Sequence, residues 1–326
     1  MNGERPLMIV LDDWEGRIAQ NSCWSQLKEL VEIQFLKEPI SQTPDSVLAR
    51  ASFLMAIRER TALTKEVFDR LPNLKLILQT GGHAYHIDQE AAKKRNIGIA
   101  LGRHVKAPLN SVPELTFAMM LGVIHLLPQA QQAMHEGQWP LLTGRTLNGR
   151  RLGILGMGRH GTRVANIAKS AFNMNVAAWA RPGNNARTTD NFPRLSLDEL
   201  LSTSDIVTIH LKLSSESTNL INAERIKMLK QGAILINTSR GAMVDEAALI
   251  NALQSGHLAG AGLDVFAKEP LPADSPLRMM NNVIITPHIG WTVEEVFDEF
   301  SQIASAQLKQ YLVGELPEGE LLSYLS

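Results

Sequence analysis

The feature that most constrains the fold is a glycine-rich turn between an apolar strand-like segment and a helical run. Segment 151–155 leads directly into Gly156, Gly158 and Gly161, which form the pattern Gly-x-Gly-x-x-Gly. After the turn, apolar residues recur at the spacing of one helix face, at Val164, Ile167, Ala168, Ala171 and Phe172. Strand, glycine turn and helix in this order are typical of a dinucleotide-binding unit, whereas the glycine pattern alone is a weak signal.

Each glycine has its own physical role in such a turn. Gly156 permits the tight turn, Gly158 lets the backbone approach a pyrophosphate, and Gly161 lets helix and strand pack closely. The helix N-terminus adds unpaired N–H groups and the positive end of its dipole, which favour phosphates. A plain strand-to-helix turn also favours glycine. With both flanking elements present, the sequence predicts a dinucleotide site that includes Arg159 and His160.

Length, charge and cysteine content limit the remaining possibilities. At 326 residues the chain is long for one core, so two domains are expected. A net charge of −1 gives no electrostatic reason to expect nucleic acid or an acidic membrane surface as a partner. The single cysteine, Cys23, excludes a cysteine-based zinc cluster, and no metal is expected. Since no apolar run approaches about 18 residues and no signal peptide is recognisable, the expected location is cytoplasmic.

Short apolar runs alternate with amphipathic stretches along the chain. In the first third the strand-like runs are 7–11, 31–36, 53–57, 74–78 and 97–101. The pattern restarts at residue 151 and adds the runs 176–179, 206–211, 233–237, 260–265 and 283–286. Repeated strand–helix units predict parallel sheets covered on both faces, so the expected fold class is α/β with two doubly wound sheets.

Several side chains are placed to accept hydrogen bonds from the first N–H groups of helices. Ser196, Asn222 and Asp245 are predicted caps, and Ser111 with Glu114 forms a capping-box pattern that would open a long helix. That helix is apolar on nearly all sides, which predicts burial on more than one side. It is either a core helix or a helix shared between two subunits, and the second alternative motivates a homodimer.

Three polar residues follow later strands of the second sheet. Arg240, Glu269 and His288 each lie just past an apolar strand, at the edge where the nicotinamide end of a dinucleotide would lie. Singly, each is explained as a surface charge or a loop residue. Together they suit reduction of a 2-keto acid, because an arginine can grip a carboxylate and a histidinium can give a proton to the carbonyl oxygen. Glu269 would favour the charged imidazole.

A polar loop at residues 80–86 follows the fourth strand and contains Gly81 and Gly82. Loops of this kind at the carboxyl ends of parallel strands are where ligands bind in open α/β sheets. A plain turn that uses glycine for positive φ explains the same residues. The spacing alone leaves both interpretations open.

These segments together resemble the D-isomer-specific 2-hydroxyacid dehydrogenases, and the similarity extends over almost the whole chain. Four blocks carry it most specifically: Asn237-Thr238-Ser239-Arg240-Gly241, Asp245-Glu246-Ala247-Ala248-Leu249, Leu263-Asp264-Val265-Phe266 with Glu269-Pro270, and Thr286-Pro287-His288-Ile289-Gly290. Further support comes from Arg58-Glu59-Arg60-Thr61, Gly81-Gly82, Asn110-Ser111-Val112-Pro113-Glu114 and the loop from Gly156 to Gly161.

The resemblance implies roles for residues that spacing alone does not assign. It implies catalysis by the arginine, glutamate and histidine described above. Backbone groups of Gly81, Gly82 and His83 are expected to line the pocket for the substrate carboxylate. Asp264 is expected to contact the nicotinamide carboxamide, and Thr238 to lie along the cofactor.

The resemblance also implies the architecture. A split substrate domain, residues 1–102 and 290–326, is expected to contain a flavodoxin-like sheet and to be closed by the returning C-terminal helix. A Rossmann dinucleotide-binding domain is expected at residues 103–289, and the helix after Ser111 is expected to build the homodimer. His83 and Trp291 are larger than many residues at such positions and would narrow the substrate pocket.

The choice of cofactor depends on a departure from the common pattern. A site that prefers NAD has an acidic residue about 20 positions past the glycines, which binds the ribose 2′-hydroxyl. Here the corresponding strand ends Trp179-Ala180-Arg181-Pro182, and Arg181, helped by Arg187, could accept a 2′-phosphate instead. Stacking of Arg181 on adenine is the alternative, so NAD and NADP both stay open.

The sequence therefore predicts an oxidoreductase that transfers a hydride between NAD or NADP and a small D-2-hydroxy acid or 2-keto acid. The alternative is a nucleotide-sensing binding protein similar to the C-terminal-binding-protein corepressors, which keep the same three polar residues. The lack of disordered or charged tails for partner recruitment disfavours it. A formate dehydrogenase is also disfavoured, because Glu269 beside His288 suits a proton transfer that formate oxidation does not need.

Overall fold

The computed structural model describes residues 5–180 and 192–322. The chain divides into two compact units, residues 1–107 with 292–326 (unit 1) and residues 108–291 (unit 2). The boundaries expected at residues 102 and 289 fall slightly earlier than these divisions. Each unit is built on its own parallel sheet, which confirms the predicted fold class.

Unit 1 contains a five-stranded sheet whose strands pair in parallel in the order β2-β1-β3-β4-β5. The strands are β1 (Leu7–Val10), β2 (Glu32–Phe35), β3 (Ala51–Ala56), β4 (Leu76–Gln79) and β5 (Gly98–Leu101). The helices between them are α1 (Arg17–Gln20), α2 (Asp45–Leu48), α3 (Lys65–Asp69) and α4 (Gln89–Lys94). Strands β1 and β4 are buried along their whole length, as expected for a parallel sheet covered on both faces.

Unit 2 contains a six-stranded parallel sheet in the order β11-β10-β9-β8-β6-β7. Its strands are β6 (Arg151–Leu155), β7 (Asn175–Trp179), β8 (Ile206–Ile209), β9 (Ala233–Asn237), β10 (Leu258–Leu263) and β11 (Val283–Ile285). Its helices are α5 (Pro108–Ile124), α6 (Leu127–His135), α7 (Arg159–Phe172), α8 (Leu197–Thr203), α9 (Ala223–Met228) and α10 (Glu246–Gln254). Successive strands are added on opposite sides of β6, so the direction of strand addition reverses between β6 and β8. Such a reversal places a ligand crevice at the carboxyl ends of these strands.

The start of helix α5 differs from the prediction, and the packing of the helix accounts for its apolar character. It begins at Pro108, so the capping box at Ser111 was wrong: the Ser111 hydroxyl lies inside the helix and donates to the carbonyl oxygen of Gly290 at 2.8 Å. Phe117 and Met120 belong to a buried cluster of unit 2 that also contains Ile154. Burial within its own unit therefore accounts for a helix that is apolar on nearly all sides.

The three other predicted caps are confirmed. Ser196, Asn222 and Asp245 each accept a hydrogen bond from a backbone N–H in the first turn of α8, α9 and α10. At these three helix starts the local sequence pattern is sufficient to place the cap.

The C-terminal helix α11 (Glu294–Leu312) belongs to unit 1, as the sequence suggested. It buries Val296, Phe300 and Leu308, and the side-chain amide of Gln307 donates to the carbonyl oxygen of Leu101 at 3.1 Å. Helix α11 thereby completes unit 1.

In the described part of the chain, no helix by itself has the length and hydropathy of a membrane span. The pair α5 and α6 reaches that length only together, across a bend of 65°.

Candidate active site

The glycine loop lies at the carboxyl end of β6, beside the point where the strand order reverses. Gly156 has φ +99°, a conformation that L side chains rarely adopt, and its N–H donates to the carbonyl oxygen of Trp179 at 2.8 Å. A Cβ on Gly161 would lie 1.9 Å from the carbonyl oxygen of Gly156, whereas a Cβ on Gly158 would have no atom within 4 Å. Helix packing therefore requires Gly161, and Gly158 leaves open space at the N-terminus of α7.

This geometry fits a dinucleotide phosphate. An anion next to Gly158 would meet the free N–H groups of a 14-residue helix and the positive end of its dipole. Arg159 and His160 occupy the first two positions of that helix. Burial lowers the pKa of His160, so its imidazole is neutral at neutral pH. Arg181 and Arg187, predicted to contact the adenosine end, lie outside the described residues.

Arg240 follows β9 in a turn that the neighbouring side chains fix. The side-chain amide of Asn237 donates to the Arg240 carbonyl oxygen at 3.0 Å, and its oxygen accepts from the N–H of Ser239 at 3.0 Å. The Arg240 guanidinium donates to the carbonyl oxygen of Ser239 at 2.7 Å and stays half-buried. Thr238 is buried, and its hydroxyl lies 3.1 Å from that of Thr116.

Glu269 and His288 form a hydrogen-bonded pair. Nδ1 of His288 lies 2.7 Å from Oε2 of Glu269, and the other carboxylate oxygen accepts from the N–H of Phe266 at 3.0 Å. Burial acts to raise the pKa of Glu269, but the hydrogen bonds from His288 and Phe266 outweigh it and hold this pKa below its ordinary value. The nearby charge of Arg240 acts in the same direction, so the predicted cation, acid and imidazole share one neighbourhood.

His288 has φ +56°, which is uncommon for a residue with a side chain. Asp264 holds the segment that follows it. The two oxygens of this carboxylate accept from the N–H groups of Ile289 and Gly290, both at 2.8 Å, and from the Thr286 hydroxyl at 2.5 Å. The residue is almost completely buried, and burial raises its pKa despite these donors. Asp264 therefore fixes the loop that carries His288, a relationship that sequence reasoning missed.

The loop after β4 in unit 1 contains the other predicted residues. Gly81 is buried with φ +141°, Gly82 is exposed, and Nε2 of His83 lies 3.1 Å from Oε1 of Glu59. Glu59 follows β3; the sequence placed it in the block Arg58-Glu59-Arg60-Thr61 and gave it no role of its own. Trp291 is half-buried at the end of unit 2.

No group of three or more His, Cys, Asp or Glu side chains suited to a metal ion is found within residues 5–180 and 192–322. The chemistry of this edge is that of an arginine and a histidine–carboxylate pair beside a dinucleotide loop.

Comparison with known proteins identifies the family. Residues 117–290 match the model of the D-isomer specific 2-hydroxyacid dehydrogenase NAD-binding domain. The chain belongs to this family.

Relatives match nearly the whole chain. A hydroxypyruvate reductase of Blautia hydrogenotrophica is 33% identical over 316 residues, which span 93% of this chain and 92% of that protein. A glyoxylate reductase of Thermofilum pendens is 35% identical over 318 residues, 92% of this chain and 91% of that protein. The crystal structure of D-lactate dehydrogenase from Aquifex aeolicus, complexed with NAD and lactic acid, superposes with a TM-score of 0.80 at 29% identity, covering 98% of this chain and 100% of that one.

Family membership confirms the predicted class of protein. The chain is an NAD- or NADP-dependent oxidoreductase that acts on 2-hydroxy or 2-keto acids. The corepressor-like alternative is not favoured, because these relatives are named as enzymes.

Proposed function

We propose that this enzyme interconverts a small 2-keto acid and its D-2-hydroxy acid, with Arg240 binding the carboxylate and His288 exchanging the proton. The observation that carries the proposal is the 2.7 Å contact between Nδ1 of His288 and Glu269. The nicotinamide cofactor, when bound, supplies or accepts the hydride.

The His288–Glu269 contact determines which ring nitrogen is available. An ionised Glu269 only accepts hydrogen bonds, so Nδ1 of His288 must carry a proton, and this N–H donates the hydrogen bond to Glu269. Nε2 is then the atom that gives a proton to the carbonyl oxygen during reduction and takes one from the hydroxyl during oxidation. The carboxylate stabilises the imidazolium that the reduction requires.

Arg240 supplies the complementary charge for the substrate. A guanidinium offers two parallel N–H groups to a carboxylate, which holds a 2-keto acid in one orientation. The same positive charge polarises the adjacent carbonyl group and favours hydride addition at its carbon. Backbone N–H groups of Gly81, Gly82 and His83 are proposed to assist in holding the carboxylate, and Trp291 to border the pocket.

The proposed first substrates are glyoxylate and hydroxypyruvate, the compounds in the names of the two relatives described above. The test is a panel of 2-keto acids assayed with NADH and with NADPH by loss of reduced-cofactor absorbance. Turnover of glyoxylate or hydroxypyruvate supports the proposal, and no turnover of any member contradicts it. The ratio of kcat/KM for the two cofactors settles the role of Arg181: a strong NADH preference would contradict a 2′-phosphate contact.

A homodimer belongs to the same proposal and is supported by an exposed apolar surface in unit 2. Trp139 and Leu141 are 84% and 97% exposed, and Leu127 and Met134 on α6 are about half exposed. Large exposed apolar side chains that lie this near one another in the chain are a common feature of interfaces. Sedimentation equilibrium of the wild type and of a Trp139→Ser, Leu141→Ser double variant tests this: we expect a dimer that the double variant weakens. The cytoplasmic location stays a prediction, which cell fractionation would test.

A further inference from the structure

A second histidine–carboxylate pair lies in unit 1 and is formed by Glu59 and His83. Strands β3 and β4 are neighbours and run parallel, so the segments that follow them lie at the same edge of the sheet. In the order β2-β1-β3-β4-β5 the direction of strand addition reverses between β1 and β3, and ligands bind at such an edge. Glu59 follows β3 and His83 follows β4.

One oxygen of Glu59 contacts both of its neighbours in this cluster. Its Oε1 lies 3.1 Å from Nε2 of His83 and 3.5 Å from Nη2 of Arg58. The ring of Tyr85 stacks on that of His83, with centroids 4.6 Å apart. The side chain of Glu59 is 36% exposed, while those of Arg58 and His83 are 21% and 23% exposed, so Glu59 is the most exposed of these three side chains.

The backbone of this cluster is fixed. Arg58 has φ +54°, its N–H donates to the Thr80 hydroxyl at 2.8 Å, and its carbonyl oxygen accepts from the side chain of Gln79 at 3.2 Å. Nη1 of Arg58 would be 2.6 Å from a Cβ on Gly81, so the guanidinium lies directly against the glycine loop. Burial lowers the pKa of His86, which leaves this imidazole neutral at neutral pH.

The charges of the cluster have a consequence for binding. A guanidinium against a glycine loop attracts an anionic group and can bind it through two N–H groups. Glu59 offsets that charge and places a negative charge on the most exposed of the three side chains. A ligand with a second carboxylate or a phosphate would therefore meet repulsion where Arg58 would otherwise attract it.

We propose that Glu59 determines substrate specificity by excluding 2-keto acids that carry a second anionic group. The inference rests on the proposed function, in which the loop of Gly81, Gly82 and His83 contacts the substrate. Discrimination of this kind works by a repulsive element against the wrong ligand rather than by additional contacts with the right one.

Oxaloacetate and pyruvate are a matched pair for the test, because oxaloacetate is pyruvate with one added carboxylate. The quantity measured is the ratio of kcat/KM for oxaloacetate to that for pyruvate. We expect E59Q to raise this ratio at least tenfold, because it removes the charge and keeps the size of the side chain. E59D retains the charge and should keep the ratio within twofold of the wild type.

Two further variants identify the source of any gain. Glu32 pairs with Arg50 at 2.7 Å at the start of β2, the opposite edge of the sheet, so E32Q makes the same charge change away from the cluster and should leave the ratio unchanged. Adding Arg58→Gln to E59Q should abolish the gain, because the charge of Arg58, which Glu59 offsets in the wild type, is what attracts the second anion.

The outcomes separate this inference from the proposed function. If the wild type reduces pyruvate or glyoxylate and E59Q leaves the ratio within twofold, the inference is overturned and the proposed function stands. An equal rise in E32Q, or a gain that persists without Arg58, also overturns it. If the wild type reduces no 2-keto acid, the proposed function and the inference both fail.

Discussion

Glu269 accepts a hydrogen bond from Nδ1 of His288 at 2.7 Å, and the backbone N–H of Phe266 holds its other oxygen. Both oxygens of the carboxylate are thus engaged within the same unit, and the imidazole is oriented before any ligand arrives. Preorganisation of this kind removes the cost of ordering the acid–base group during the reaction.

We expect His288→Ala to lower kcat for 2-keto acid reduction by about 10²–10⁴-fold, the usual contribution of a positioned general acid. Glu269→Gln should lower kcat less. It removes the charged acceptor that orients Nδ1 of His288, while the ring and its Nε2 stay in place. Pre-steady-state kinetics of the reduction measures both losses. A kcat of Glu269→Gln equal to that of the wild type would contradict the role of the pair.

Arg240→Lys should preserve the positive charge and lose the two parallel N–H groups. Because a bidentate guanidinium–carboxylate contact is stronger and more directional than a single ammonium contact, KM for the keto acid should rise and kcat should fall. We expect a loss in kcat/KM of about tenfold to 100-fold, which corresponds to roughly 1.4–2.8 kcal/mol. An unchanged KM would show that another group binds the carboxylate.

Asp264→Asn should weaken the loop that carries His288. An amide nitrogen in place of one carboxylate oxygen would face an N–H group, and an unsatisfied buried group costs about 1–3 kcal/mol. We therefore expect lower kcat together with lower stability to urea. Asp205→Asn is the matched control, because Asp205 also accepts a backbone N–H, that of Arg151 at 2.9 Å, at the opposite edge of the sheet. It should lower stability and leave kcat near the wild-type value.

The sequence was sufficient for the features that depend on local pattern. Buried parallel strands appear as apolar runs, and Arg240, Glu269 and His288 could be recognised because each follows such a run. The pairing of Glu59 with His83 could not, since these residues follow two different strands and no periodicity states which loop side chains face each other. The Ser111 capping box failed for a related reason: a tertiary partner, the Gly290 carbonyl, took the hydroxyl that local spacing assigned to the helix start.

His210, directly after β8, makes stability depend on pH. Burial of its ring among the surrounding protein atoms lowers its pKa from 6.5 to about 3. Its Nε2 lies 3.0 Å from the Thr208 hydroxyl. Between these two pKa values the unfolded chain binds more protons than the folded one, so the free energy of unfolding falls as pH decreases. From pH 6.5 to 5 the loss attributable to this residue has a ceiling of about 2 kcal/mol. Because His210 keeps some contact with water, the measured loss should lie below that ceiling.

Urea unfolding at pH 7 and pH 5 measures this effect. We expect His210→Gln to lose less stability on acidification than the wild type. His135→Gln serves as control, because His135 lies exposed in the last turn of α6 and should leave the pH dependence unchanged. Equal losses in His210→Gln and in the wild type would contradict the prediction.

Replacement by alanine should lower folding stability at Gly161 and cofactor affinity at Gly158. A Cβ on Gly161 would lie 1.9 Å from the Gly156 carbonyl oxygen, so the strand and helix must move apart, at a cost of about 1–3 kcal/mol or more. Alanine in a helix ordinarily stabilises by roughly 1 kcal/mol relative to glycine, so a loss here would have the opposite sign.

A Cβ on Gly158 contacts nothing within 4 Å and would instead occupy the space proposed for the pyrophosphate. Gly158→Ala should therefore unfold within about 1 kcal/mol of the wild type and bind NADH and NADPH at least tenfold more weakly. Urea titration without cofactor and calorimetric titration with each cofactor test the pair, and wild-type affinity in Gly158→Ala would place the phosphates elsewhere.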